Sequence, residues 1–243
     1  QNQLNKDHTV DIISTFLGAH AIPKEMSDEE YVDLVINEMI PIAQNRAQFC
    51  DVFCEKGFFS VDQSKRILEA GKKAGLIPKI HADELVDTGG GMLAAEVGAI
   101  SAEHLLKTNE ESMKKMAEKQ VIGVMLPGTP FSLMMNEYAP ARTMIDTGVP
   151  ISLATDLNPN CYVENMQFMM QLACFNMEMT PSEALTAATF NAACAIKQQD
   201  LIGSLEIGKQ ADVIVLDVSN YQMIPYHFGI NHVNTVIKKG EIV

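Results

Sequence analysis

Short apolar runs alternate along this chain with longer stretches in which apolar residues recur at helical spacing among Lys and Glu. The runs fall at 10–18, 50–54, 77–81, 99–102, 121–126 and 151–154, and the amphipathic stretches at 28–47, 60–74, 110–119 and 139–147. A run too short for a helix, followed by a segment long enough to cross back over a sheet, is the pattern of a βα unit. Six such units are predicted, joined right-handedly around a parallel sheet.

The pattern changes after Asp156. A Met-rich helical stretch covers 164–177, and its Met166, Met169, Met170 and Met177 recur at helical spacing, which reads as core packing rather than a soft-metal site. In "TPSEALTAATFNAACAI", Thr180 is placed to cap a helix, with Pro181 in its first turn and Glu183 at the third position. From Gly203 onward, "GSLEIGKQADVIVLD" and "VNTVIKKGEIV" read as short strands joined by Gly turns, a small β element outside the main sheet. The expected division is 1–202 for the βα units and 203–243 for these strands.

Composition narrows the partners. With 243 residues and 47% apolar content the chain can bury a substantial core, and its net charge of −13 disfavours nucleic acid and acidic membranes, leaving small molecules as the expected ligands. No run approaches the roughly 20 apolar residues of a membrane span, and the N-terminus lacks the layout of a signal peptide, so a cytoplasmic location is expected. The five cysteines are an odd number; Cys50 and Cys54 are close, but no second Cys/His pair with matching spacing completes a zinc knuckle, so reduced thiols are expected. His227 and His232 have no carboxylate neighbours in sequence and read as structural.

Chemistry collects at four strand ends: Gly18-Ala19-His20, His81-Ala82-Asp83-Glu84, Glu103-His104 and Thr155-Asp156. In parallel α/β barrels these ends open on one face, where active sites lie. One His after a strand is usually structural, but four polar ends in one register suit a hydrolytic metal site, in which imidazole and carboxylate bind a divalent ion and a further acid or base moves protons. The glycines of "DTGGGML" precede a helix, but no Lys-Ser/Thr follows to make a phosphate loop; a flexible rim at the substrate mouth is the expectation.

In order, "TFLGAHAIPKE", "KIHADE", "GAISAEHL", "VMLPGTPFSL", "YAPAR", "LATDLNPN", "EALTAATFNAA" and "GSLEIGKQADVIVLD" resemble the imidazolonepropionases of the amidohydrolase superfamily, over nearly the whole chain. The resemblance implies a (β/α)8 TIM barrel with a small β-sandwich, and opening of the ring of 4-imidazolone-5-propanoate to N-formimidoyl-L-glutamate in histidine degradation. It implies His81 and Asp156 as ligands of one divalent ion, zinc or iron, with Asp156 also in the catalytic set. Glu84 would hydrogen-bond the substrate and handle protons, and His104 would polarise the scissile carbonyl or orient water. His20, Asn158, Asn160 and Cys161 would contact substrate, and a homo-oligomer is expected. Asn160 stands where many members carry Gly, and Cys161 where a small hydroxyl residue is frequent; Asn suits a left-handed turn, and a thiol bonds more weakly than a hydroxyl.

No H-x-H pair occurs in this sequence, whereas the family carries one at the end of its first strand. Counted back from the run at 151–154, the chain begins at strand three, so an incomplete barrel of strands 3–8 with a small C-terminal β-sandwich element is expected. A start on Gln1 suggests a preceding segment. With two ligands, His81 and Asp156, metal would be weakly held or absent and activity impaired. The alternatives are a non-catalytic binding or regulatory module derived from the barrel, and another amidohydrolase such as a deaminase.

Overall fold

The computed structural model describes residues 3–243; the first two residues of the expected barrel segment lie outside it. Six parallel strands form one sheet in chain order: β1 (Thr15–Ala19), β2 (Phe49–Cys54), β3 (Ile77–Ala82), β4 (Ser101–His104), β5 (Ile122–Met125) and β6 (Ile151–Leu153). A separate antiparallel sheet of β7 (Val213–Leu216), β8 (Val233–Lys238) and β9 (Glu241–Ile242) follows. Each of the six expected βα units is present. Two of the strands depart from the expected runs by more than one residue at an end: the run at 10–18 pairs only over Thr15–Ala19, and that at 99–102 becomes Ser101–His104, because Gly98 closes the preceding helix in a left-handed cap and Ala99 bonds back to Ala94.

Residues two apart share a face of a strand, and here the two faces differ in kind. Cys50, Val52 and Cys54, Ile80 and Ala82, Ala102, Met125, Ile151 and Leu153 belong to one continuous apolar core that includes residues of the surrounding helices. The other face carries Asp51, Lys79, His81, Glu103 and Ser152, together with Val124 and Leu126, around an open cavity of about 1000 Å³. Thr15 and Leu17 of β1 line the same cavity as Ser152 and Ala154 at β6, so the sheet curves until its two edges face a common space. It is a barrel wall left open between β1 and β6.

The helices form where the pattern placed them, with locally readable stops and starts. Ser27, Ser60 and Thr180 each make a full capping box, with Glu30, Gln63 and Glu183 as the reciprocal partners. The stretch at 28–47 is α-helical over Asp28–Leu34, widens into a π turn over Val35–Met39, and is α-helical again over Ile40–Ala43, where Pro41 removes a backbone donor. Met169, Met170 and Met177 are buried, in line with their reading as core. All five cysteines are free thiols.

The expected flexible rim is replaced by a folded segment. Gly90 and Gly91 are buried and begin the helix Gly90–Val97, and both of their N–H groups donate to the Asp83 carboxylate at 3.0 Å. A side chain at Gly90 would stand 2.7 Å from Ala82 Cβ, and one at Gly91 2.5 Å from Thr108 Oγ1. These positions are glycine because the helix end approaches the strand end too closely for a Cβ, not because the loop must move.

Candidate active site

The inward face of β2, β3 and β4 gathers most of the charge in the interior. Asp51, His81 and Glu103 each offer one ligand atom, and these atoms lie within 4.8 Å of one another. Asp51 Oδ2 is 3.0 Å from His81 Nδ1 but off the line of the ring N–H, so the contact is an ion pair more than a straight hydrogen bond. Glu103 is committed elsewhere: Lys79 Nζ donates to its Oε1 at 2.9 Å, Ser101 Oγ at 2.6 Å, and the Ile80 N–H to its Oε2 at 3.2 Å.

His81 and Asp156 both line the cavity. His104 and Glu84 approach it beside His81: the two imidazole centroids are 5.3 Å apart, and His104 Nδ1 is 3.6 Å from Glu84 Oε1. His104 reaches this position only by a backbone exception. Alternation along β4 would send it toward the helices with Ala102, but φ of +71° at His104 and +57° at Leu105 turn the chain. Asp83 and Asp156 hold φ of +51° and +54°, so three of the four strand ends that carry polar groups are left-handed. Non-glycine residues pay a conformational cost there and cluster at functional sites.

Two buried carboxylates fix the loop that carries Glu84. Asp83 accepts from the Thr88 N–H and Oγ1, from Gly90 and Gly91, and from Thr108 Oγ1. Glu55, at the end of β2, accepts the Leu85 N–H at 2.8 Å. Asp156 in turn accepts a hydrogen bond from Thr129 Oγ1, supplied by the "LPGTP" turn after β5.

Electrostatics separates the adjacent histidines. Burial alone would lower the pKa of His81, but the charge of Asp51 and its contact with the ring, with Glu103 and Asp156 adding to them, push it up to about 9. Burial and the neighbouring His81 charge pull His104 down to about 3. Burial, reinforced by Asp156 and Glu55, raises Glu84 against the attraction of His81. Near neutrality without metal, a cationic His81 therefore adjoins a neutral His104.

The other expected substrate contacts are arranged differently. His20 is exposed and stacks on Phe53 at 5.3 Å. The Asn158 side chain donates to the Asp156 carbonyl and accepts the Asn160 N–H, and residues 158 and 161 form an antiparallel bridge. Asn160 does not have the positive φ expected of it; the left-handed residue of this segment is Asp156. Cys161 is buried with its Sγ 3.8 Å from the Thr155 carbonyl oxygen. Asp51 escaped the strand-end reading because it sits inside its strand; a carboxylate within the apolar "FCDVFC" was the available signal, whereas Glu103 was marked beside His104 at a strand end but given no role.

The amidohydrolase family profile matches residues 59–243. The chain belongs to this family. The amidohydrolase chain is 56% identical over 246 residues to an imidazolonepropionase of Alkaliphilus metalliredigens (strain QYMF), covering 99% of this chain and 58% of that protein. It is 55% identical to an imidazolonepropionase of Geobacillus kaustophilus (strain HTA426), with the same coverage. It thus spans somewhat over half the length of these curated relatives. Among solved structures, a Xanthomonas campestris adenosine deaminase with bound zinc aligns with a TM-score of 0.76 at 19% identity, over 99% of this chain and 62% of that one. A Xaa-Pro dipeptidase with bound methionine aligns at 0.72 and 19%, over 99% and 70%. At this identity the likeness speaks for the fold.

The donor set fits a divalent ion: imidazole and several carboxylates converge on one cavity, and buried charges of this kind are held by partners or by a cation. No helix among the described residues is long and apolar enough to cross a membrane.

Proposed function

We propose that this chain carries the catalytic strand ends of an imidazolonepropionase, which opens 4-imidazolone-5-propanoate to N-formimidoyl-L-glutamate by hydrolysis of the cyclic amide. The observation that carries the reading is identity of 56% over 99% of the chain, supported by His81 and Asp156 lining one cavity with His104 and Glu84 beside His81. In this reading residues 1–202 form the barrel part and 203–243 the small β part, and the protein works in the cytoplasm as a homo-oligomer.

His81 and Asp156 would hold one divalent ion, zinc or iron. When bound, that ion supplies Lewis-acid polarisation and lowers the pKa of water to about 7. Glu84, raised by burial, accepts a proton from the attacking water and returns it to the ring nitrogen as the amide C–N bond breaks. His104, kept neutral by its surroundings, orients the water or polarises the carbonyl oxygen without adding a second cation beside His81. His20, Asn158, Asn160 and Cys161 would form the substrate rim, the last three by shaping the loop behind Asp156.

His81 and Asp156 fall short of the three or more protein ligands typical of zinc, so this polypeptide alone should hold metal weakly and turn over slowly. The test replaces the matching part of the Alkaliphilus metalliredigens relative with this chain and follows hydrolysis of 4-imidazolone-5-propanoate. Turnover that is lost in Glu84→Gln supports the proposal. A folded, metal-loaded chimera that leaves the substrate intact sinks it.

A further inference from the structure

We infer that Asp51 is a positioning residue for His81: its carboxylate holds the Nδ1 edge of the imidazole and presents the Nε2 edge to a divalent ion. The inference deepens the proposed function and rests on the reading of His81 as a ligand.

The argument begins in β2. All six residues Phe49–Cys54 are buried, and Asp51 is the one charged residue among them. An unpartnered carboxylate in such a strand is strongly unfavourable, so its partner defines its role. Parallel pairing sets Phe49 beside Ile77 and Phe53 beside His81, so Asp51, midway, projects inward one step before His81 on the neighbouring strand. The carboxylate is itself fixed, because its Oδ1 accepts the Val52 N–H at 2.7 Å, which leaves Oδ2 for the imidazole at 3.0 Å.

Among the described residues no other carboxylate of the cluster takes this part. Glu103, the other carboxylate of the cluster, is occupied by Lys79, Ser101 and the Ile80 amide. The His81 ring is confined on two further sides, edge-on to Phe53 at 6.2 Å and tilted against His104 at 5.3 Å. With Nδ1 held, the opposite ring nitrogen is the one free to serve as ligand in the cavity that Asp156 also lines. A carboxylate behind a ligating histidine fixes its tautomer and raises its basicity, and its loss typically costs 10–100-fold in metal affinity.

The test has two arms. In the metal-free chain at alkaline pH, where the ring is neutral, nitrogen NMR of labelled histidine reports which ring nitrogen of His81 carries the proton. The expected result is Nδ1–H in the wild type and loss of that preference in Asp51→Asn. In the second arm, zinc binding by calorimetry is expected to weaken about 10–100-fold in Asp51→Asn. A wild-type ring protonated on Nε2 overturns the inference, as does an Asp51→Asn chain with unchanged tautomer and zinc affinity. X-ray absorption showing a direct Asp51–zinc bond also overturns it. Zinc binding too weak to measure is compatible with two protein ligands, and the ring-nitrogen measurement then decides by itself whether Asp51 orients His81.

Discussion

His81 and His104 are neighbours with opposed protonation, and the pH dependence of stability follows from them. The folded pKa of His81 is raised from 6.5 to about 9, so its stabilising contribution is complete below pH 6.5 and is lost as pH rises through about 9. That of His104 is depressed from 6.5 to about 3, so its contribution is complete above pH 6.5 and is lost as pH falls toward about 3. Each linkage has a slope of at most about 1.4 kcal/mol per pH unit, and together they set a stability maximum near pH 6.5 for the metal-free chain. Asp11 and Glu183, held near 2 by hydrogen bonds from Lys238 and Arg142, add their own loss only below their ordinary values of 3.8 and 4.5. Urea denaturation across pH should show this maximum, with the alkaline limb flattened in His81→Asn and the acid limb between 6.5 and 4.5 flattened in His104→Asn. A second residue-scale expectation concerns Lys79. Its ammonium is the cation paired with the buried Glu103, so Lys79→Met should destabilise by about 3–5 kcal/mol, whereas adding Glu103→Leu should recover most of that loss in the same denaturation assay.

At the scale of elements, the segment from Asp83 to Val97 acts as a buttress for Glu84. Asp83 takes hydrogen bonds from three backbone amides and two hydroxyls, while Gly90 and Gly91 let the helix end press against β3. Gly91→Ala must displace Thr108 and is expected to cost about 1–3 kcal/mol, read as a fall in the thermal midpoint of about 2–4 °C per kcal/mol. Asp83→Ala should cost more, because it strands several buried donors at once. Hydrogen exchange should show amides 88–91 losing protection in that variant; unchanged protection would contradict the anchoring role. In the sequence the three consecutive glycines looked like mobility. The approach of the helix to Ala82 and Thr108 gives Gly90 and Gly91 their reason, and a left-handed φ of +83° gives Gly89 its own.

At the scale of the whole molecule, β1 and β6 end the sheet without a further strand among the described residues, and their backbones border a cavity of about 1000 Å³. Open edges are templates for pairing with another chain. Leu205, Ile207, Ile214, Val215 and Ile242 add exposed apolar surface around the small sheet. Sedimentation velocity over a concentration series should therefore detect reversible self-association that grows with concentration. A monodisperse monomer throughout would show that these edges are protected.

The alternation of apolar runs and amphipathic stretches was enough to determine the six βα units, the capped helices and the separate C-terminal strands, because these depend on short-range periodicity and capping chemistry. It also set His81, Glu84, His104 and Asp156 at strand ends, since distance from the last apolar residue is a one-dimensional quantity. Which side chains meet was decided only by the tertiary structure. Period-two alternation separates the faces of a buried strand but does not say which one looks inward, so Asp51 became part of the site only once the sheet curved. Alternation would have turned His104 toward the helices; left-handed backbone at one or two residues brought it to His81, and that conformation is held by contacts with distant segments rather than by local propensity.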